Sequence, residues 1–440
     1  MNKLAINGGE KTVKKQKEYH EYCVPMVAEE SYPVVEQLLR SGKISEAPVV
    51  KQLESEFAAY MGKKYALCTP NGTTALQAAL FGAGVGPGDE VIVPSFTFWA
   101  TVGPVVVNGA LPVFCDVTKE GHNITAGLIE PLITKKTKAV LLVHVWGTPC
   151  DMEPIAALCK KYKIKLITDC AHAHGAKYGG STGGIVGDAG MFSLQGSKTM
   201  PGGEGGILVT DDKDIFERAV ALGHYERLSK LEDGSVYKAL WLTGCGYKHR
   251  IHPVSAAIAL GNLHRLDKLN AIRNKNALRL ESLIKNVKFI EAQEVPKKAE
   301  RVFSYHYMRY LPERLNGVSI ETFLKALAAE GVVCGSCGYG RLHRSPLYTG
   351  EGNLFGKEGP FRNPYWAEYA PAAKLPVTET LSQSVFMGAP RFEFDGEENV
   401  KLFAEAYFKL QENAGELAEY DRTHNKIELQ TDGRSINYVK

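Results

Sequence analysis

The sequence carries no excess of either charge. Its 52 Lys and Arg residues against 49 Asp and Glu leave a formal net charge of +3 over 440 residues. A balance that close gives no basis for expecting nucleic acid or a membrane surface as partner. No apolar run approaches the roughly 18 residues of a spanning helix. The opening Met1-Asn-Lys-Leu-Ala-Ile-Asn-Gly-Gly9 has no signal-peptide apolar core, so a cytoplasmic protein is expected. No Gly-x-Gly-x-x-Gly follows an apolar strand, which argues against a dinucleotide fold. No His-Glu-x-x-His or similar spacing calls for a metal. Internal repeats, low-complexity tracts and long charge blocks are missing too. The nine cysteines are odd in number and scattered. Several, such as Cys68, Cys115 and Cys159, sit in apolar runs and read as buried free thiols in a reducing compartment. Cys334-Gly-Ser-Cys337 is a lone C-x-x-C without a second ligand pair, and reads as structural.

What the chain has is alternation. From about residue 60 to 210, short apolar runs alternate with helical patterns. The strand candidates are Tyr65–Thr69, Glu90–Pro94, Leu111–Val117, Ala139–Val145, Lys165–Asp169 and Gly206–Thr210. One intervening helix starts at Asp151, an N-cap residue, with Pro154 in its first turn. This order predicts an α/β fold with a mainly parallel sheet covered on both faces. Ligands in such sheets gather at the carboxyl ends of strands. Beyond about residue 250 the pattern changes to long polar helices, roughly 253–285 and 396–420, with a further helix capped by Ser319. Two domains are expected, residues 1–265 and residues 266–440. The stretch 338–372 is rich in Gly, Pro and aromatics, Trp366 and Tyr369 among them, and suits a substrate-covering or interface loop. The last fifteen residues or so are polar and suit a poorly ordered terminus.

Four segments carry chemistry. Ser193-Leu-Gln-Gly-Ser-Lys198 leads into the Gly-rich Pro201-Gly-Gly-Glu-Gly-Gly206 and an apolar strand. A lysine there can form the internal Schiff base of pyridoxal 5′-phosphate (PLP); its bland alternative is a solvated loop lysine. Asp169 ends an apolar strand. It can hold a pyridine nitrogen protonated, cap a helix or bind a metal, and no further metal ligands stand at suitable spacing. His172, three residues on, sits either beside the cofactor ring or at a helix start satisfied by backbone. Thr69-Pro-Asn71-Gly72-Thr73-Thr74 follows a strand and opens an apolar helix. Its first-turn N–H groups and the helix dipole favour a phosphate, with the Thr73 and Thr74 hydroxyls and Ser193 as further donors. Pro94-Ser-Phe96-Thr-Phe98-Trp99 offers flat side chains for stacking on a ring, or for the core.

Together these motifs resemble the PLP-dependent fold-type I sugar and cyclitol aminotransferases of the DegT/StrS type. The resemblance runs from Leu4-Ala-Ile-Asn-Gly-Gly9 to about residue 345. It implies a large seven-stranded domain and a smaller C-terminal α/β domain. It implies catalysis by Lys198, with Asp169 at the pyridine nitrogen and His172 near the phenolic oxygen. Gly72, Thr73, Thr74 and Ser193 would take the phosphate, and Phe98 would stack on the ring. Gly246-Tyr-Lys248-His-Arg250 resembles the loop that a partner subunit sends to the phosphate in a homodimer; the commoner residue at 248 is asparagine. Arg250, Tyr339 and His343 are substrate candidates. The implied reaction transfers an amino group from glutamine or glutamate to a keto-sugar or keto-cyclitol, as in amino-sugar, aminocyclitol and antibiotic biosynthesis. Family members without the lysine act as dehydratases, and Lys198 favours transamination. Dehydration or other PLP chemistry on a keto-sugar is the alternative, and a PLP-binding regulator is a third reading that lacks a DNA-binding segment or basic tail.

Overall fold

Strong apolar alternation builds the central sheet in the computed structural model, which describes residues 3–15, 17–349, 374–394 and 396–424. The first eight strands are β1 (Tyr65–Thr69), β2 (Glu90–Pro94), β3 (Leu111–Cys115), β4 (Thr137–Val143), β5 (Lys165–Asp169), β6 (Lys177–Tyr178), β7 (Ala189–Ser193) and β8 (Gly206–Thr210). All but β6 form one seven-stranded sheet in the order β1-β8-β7-β5-β4-β2-β3. Strands β7-β5-β4-β2-β3 run parallel, and β8 lies antiparallel between β1 and β7. The sheet is therefore mainly parallel, with one reversed strand.

Successive residues point to opposite faces, and both faces are dry. Leu67, Val91, Val93, Leu141, Ile167 and Leu208 pack under the helices Gly72–Gly82 and Lys213–Gly223. Their neighbours Cys68, Ile92, Val140, Leu142, Leu166 and Ile207 pack with Leu53, Phe57, Ile155 and Leu260 from the helices Pro48–Met61, Met152–Tyr162 and Pro253–Ile284.

The C-terminal half builds a second sheet from β9 (Ile290–Ala292), β11 (His306–Tyr310), β12 (Gly335–Ser336) and β13 (Val385–Ala389), in the order β12-β13-β11-β9. The remaining short strand, β10 (Ala299–Glu300), pairs with β6. Phe289, Tyr310, Phe323, Phe386 and Phe403 form the core here. Leu4, Val13 and Tyr22 join this core rather than that of the large sheet. The buried Glu330 fixes the N-terminal segment by accepting from the Ala5 and Thr12 amides. The expected boundary at 265/266 also falls inside one continuous helix, Pro253–Ile284, whose burial spans both cores.

Other departures are local. β3 stops at Cys115, and β4 starts at Thr137 and stops at Val143, because the chain then turns through Val145–Gly147. Trp146 there has φ 54°, a left-handed conformation no pattern announces. β7 was not among the strand candidates. Asp151 precedes its helix but gives its carboxylate to the Tyr178 hydroxyl instead of the helix amides. Ser319 does cap, accepting from the Thr322 amide at 3.2 Å. The polar stretch 396–420 is two helices, Glu397–Glu412 and Ala414–His424. Trp366, Tyr369 and most of the C-terminal tail lie outside the described residues. Among the described residues no helix is long and apolar enough to cross a membrane.

Candidate active site

The carboxyl ends of β1, β4, β5 and β7, and the start of β8, lie along one edge of the large sheet, and the site residues sit on the turns that leave it. Asp169 closes β5. Its carboxylate is buried and accepts from the Thr101 hydroxyl at 2.8 Å and the Ala171 amide at 3.0 Å. Burial raises its pKa above the ordinary carboxylate value, and Ala171, Thr101 and the nearby Lys198 pull the other way. A buried carboxylate held by two neutral donors is suited to a cationic N–H partner.

Lys198 sits half-buried on the connection from β7 to β8. The connection is tied down on each side. The Lys198 amide donates to the Gln195 carbonyl at 2.8 Å, and Asn262 donates to the Pro201 carbonyl at 2.6 Å. The positive charge of Lys198 acts on Asp169, His172 and His174 alike.

His172 is buried and its pKa lies well below 6.5, chiefly through burial and then through Lys198 and His174. The ring is neutral. Its Nδ1 accepts from the Trp146 amide at 3.3 Å, so the ring proton belongs on Nε2 as a donor. The Tyr305 ring stands edge-on to it, centroids 5.6 Å apart, and the Tyr305 hydroxyl donates to Ser197 Oγ at 3.0 Å beside Lys198. This contact is possible because the 145–147 turn lies close to Val302. A Cβ on Gly147 would meet the Val302 carbonyl oxygen at 2.1 Å, and φ is 94°.

The anion cradle is equally tight. The helix Gly72–Gly82 is capped by Asn71, which accepts from the Thr74 amide at 2.8 Å. A Cβ on Gly72 would lie 2.9 Å from Ser193 Cβ. The helix start and the end of β7 are thus pressed together, with first-turn N–H groups that the helix itself leaves unused. Thr73 is exposed there. Thr74 differs from expectation: its hydroxyl donates to Asn71 Oδ1 at 3.0 Å, so it completes the cap.

Phe98 and Trp99 are both half-exposed on the turn after β2 and lie against each other at a tilt of 34°, centroids 4.0 Å apart. Phe96 is buried against Trp146 and Tyr339. Tyr339 stacks on Trp146, and burial lifts its phenol well above the ordinary value, helped by Tyr307, Tyr305 and Asp169. It lies within electrostatic reach of Asp169. His343 does not offer itself to a substrate. Ser95 Oγ occupies its Nδ1 at 2.7 Å and Glu379 its Nε2 at 3.4 Å, so it buttresses the turn after β2. Arg250 is paired with Glu46. Lys248 is exposed and bridges to His224 through backbone. Trp146 and Tyr305 join the site without a sequence motif to mark them, and Thr101, at the end of the aromatic segment after β2, joins it through a hydroxyl that the segment's aromatic pattern does not single out.

The residues fit PLP. There is a lysine for the covalent bond, a buried acid for the pyridine nitrogen, a neutral N–H for the phenolic oxygen, and a cradle too tight for any side chain. Among the described residues no cluster of His, Cys, Asp or Glu could hold a metal ion. All nine cysteines are free.

A model described as the DegT/DnrJ/EryC1/StrS aminotransferase family matches residues 25–386. A relative from Micromonospora echinospora that carries the name L-glutamine:3-amino-2,3-dideoxy-scyllo-inosose aminotransferase is 32% identical over 428 residues, covering 94% of this chain and 98% of the relative. The crystal structure of S. venezuelae DesV in complex with a ketimine intermediate superposes with TM-score 0.74 at 28% identity, over 87% of this chain and 94% of that one. The E. coli GDP-4-keto-6-deoxy-D-mannose-3-dehydratase with bound hydrated PLP gives TM-score 0.76 over 88% and 98%. At 21% identity that likeness speaks for the fold alone.

Proposed function

The chain belongs to the DegT/DnrJ/EryC1/StrS aminotransferase family, and from that premise we propose that it transfers an amino group from glutamine or glutamate to a keto-sugar or keto-cyclitol. It is an enzyme of fold type I, and its cofactor is PLP. The observation that carries the reading is Lys198 on the β7–β8 connection, within electrostatic reach of a buried Asp169 and a neutral His172.

Bound PLP supplies an electron sink for bonds at the donor's Cα. The chain does the rest. Asp169 would hold the pyridine nitrogen protonated. His172 would donate from Nε2 to the phenolic oxygen. The first-turn amides at Gly72 and Thr73, with the Ser193 hydroxyl, would hold the phosphate. Phe98 would lie on the ring. Lys198 Nζ takes the proton from the donor's Cα and returns one on the far side of the reaction, as general base and then acid. Tyr339 is the residue we assign to the acceptor, and Arg250 could serve it only on release from Glu46. The active unit is a homodimer, and Lys248 reaches the partner's phosphate as a point charge.

The name of the Micromonospora relative supports a cyclitol acceptor and glutamine as donor. The test is the visible spectrum of the PLP-loaded protein. Addition of glutamine or glutamate should bleach the band of the lysine-bound cofactor, and a keto-cyclitol or keto-sugar should restore it. A band that no amino acid changes would overturn transamination in favour of dehydration of a keto-sugar, which product analysis without an amino donor detects.

A further inference from the structure

Beside Lys198 lies a cluster of charges that the proposed chemistry does not use. Glu393 is buried and fully engaged. Its Oε1 accepts from Arg273 Nε at 2.8 Å and Nη2 at 2.6 Å, and its Oε2 accepts from the Val24 amide at 2.8 Å. Arg391, two residues earlier, reaches that carboxylate only at 3.9 Å through Nε. Its side chain is nine-tenths buried, and neither Nε nor Nη1 has a hydrogen-bond partner. The buried Tyr19 hydroxyl next to it has none either. Two guanidinium ions share one carboxylate, which leaves one positive charge over.

The cluster adjoins the site through Tyr305 and Thr199. Arg391 lies over the Tyr305 ring, 5.8 Å from its centroid, and Tyr305 also meets His172 and Ser197. Arg273 Nη2 donates to the Thr199 carbonyl at 3.4 Å, one residue from Lys198. Burying a guanidinium with unused donors is costly, and an anion would recover that cost. A planar fork with a single uncompensated charge matches a carboxylate. The phosphate cradle lies elsewhere, at Gly72 and Ser193.

We propose that Arg391, with the Tyr19 hydroxyl, binds the carboxylate of the amino-acid donor. This rests on the aminotransferase reading above. It assigns donor selection to Arg391, just past the last strand of the C-terminal sheet, and to Tyr19 of the N-terminal segment, two residues outside the sequence motifs.

The test uses the full-length PLP-loaded protein with three probes: glutarate, L-glutamine and L-glutaminol, which lacks the carboxylate. Wild-type protein should bind glutarate, seen as a shift of the cofactor spectrum and a rise in Tm, and glutarate should compete with glutamine for bleaching. Arg391→Gln should weaken glutarate and glutamine by about 10- to 100-fold, the scale of a charge-assisted contact. Glutaminol, the weaker substrate of the wild type, should be unaffected. Arg391→Lys should recover part of the loss. Equal responses to glutamine and glutaminol would overturn the proposal. So would lost glutarate binding with unchanged glutamine bleaching, which would give the carboxylate to the acceptor. Should Arg391→Gln fail to fold, absence of glutarate competition in the wild type overturns the proposal by itself. Glutarate binding in a protein that no amine bleaches would instead overturn transamination and leave a carboxylate site.

Discussion

Gly72→Ala isolates the phosphate cradle from the rest of the site. The new methyl carbon would sit 2.9 Å from Ser193 Cβ, 3.1 Å from Met191 Sδ and 3.2 Å from Ser193 Cα. Carbon atoms rest at about 3.5–4.0 Å. Ser193 is held in β7 between β5 and β8 and cannot retreat. The helix start must therefore move by roughly 0.5–1 Å to restore that spacing. Overpacking costs about 1–3 kcal/mol. Replacing glycine within a helix returns up to about 1 kcal/mol. Gly72 has no left-handed φ, so no backbone strain adds to the loss. The net cost is ~0–3 kcal/mol, a fall in Tm of at most several degrees. Phosphate binding suffers more, since hydrogen bonds weaken steeply when stretched beyond about 3.2 Å. Loss of one or two charged contacts predicts a PLP Kd raised about 10- to 100-fold by absorbance titration. Gly127→Ala is the control, because a Cβ there meets nothing within 4 Å. A Gly72→Ala protein whose PLP affinity stays within about twofold of wild type, where 1.4 kcal/mol would be tenfold, would refute the cradle.

Lys198→Ala should still bind PLP through the remaining contacts but lose the lysine-bound band and turnover; retained steady-state transamination would remove Lys198 from the mechanism. Thr101→Val deletes one of the donors to Asp169, which should push that carboxyl further up and slow the glutamine half-reaction without abolishing it. Stopped-flow bleaching as fast as wild type would show that Thr101 does not position Asp169. His144 is buried, and burial lowers its pKa from 6.5 to about 4. Below 6.5 the unfolded chain therefore binds a proton that the folded chain refuses. Stability should fall with pH by about 1.4 kcal/mol per unit down to the folded value, from this residue alone. Urea midpoints across that range should show a shallower slope in His144→Gln; an unchanged slope would exclude His144 as a source.

The large sheet was legible because its strands are dry on both faces. Six of its seven strands, Tyr65–Thr69 and Gly206–Thr210 among them, appear as apolar runs bounded by turn residues. β7 escaped because Ala189-Gly-Met-Phe-Ser carries an internal glycine and leads directly into the lysine motif. Asp169, His172, Ser193 and Lys198 were legible because each lies at a strand end in a distinctive local context. Thr101, Trp146, Tyr305 and Arg391 were not. Their roles come from contacts between distant positions, such as Trp146 to His172, Tyr305 to Ser197 and Arg391 to Tyr19, and nothing local encodes these. The same reason explains the N-terminal segment: Leu4 and Val13 look like any apolar pair until Phe289 and Phe403 surround them.

Trp146 gives the enzyme an internal optical probe. The indole is buried, stacked on Tyr307 with centroids 4.3 Å apart, and its own amide holds His172. Tyrosine excitation will pass to it, and from it to any chromophore that absorbs in the near ultraviolet and settles beside His172. Cofactor arrival, donor binding and conversion can thus be followed from within the protein, without a label, as changes in the emission of its four tryptophans, with Trp146 isolated by comparison with Trp146→Phe.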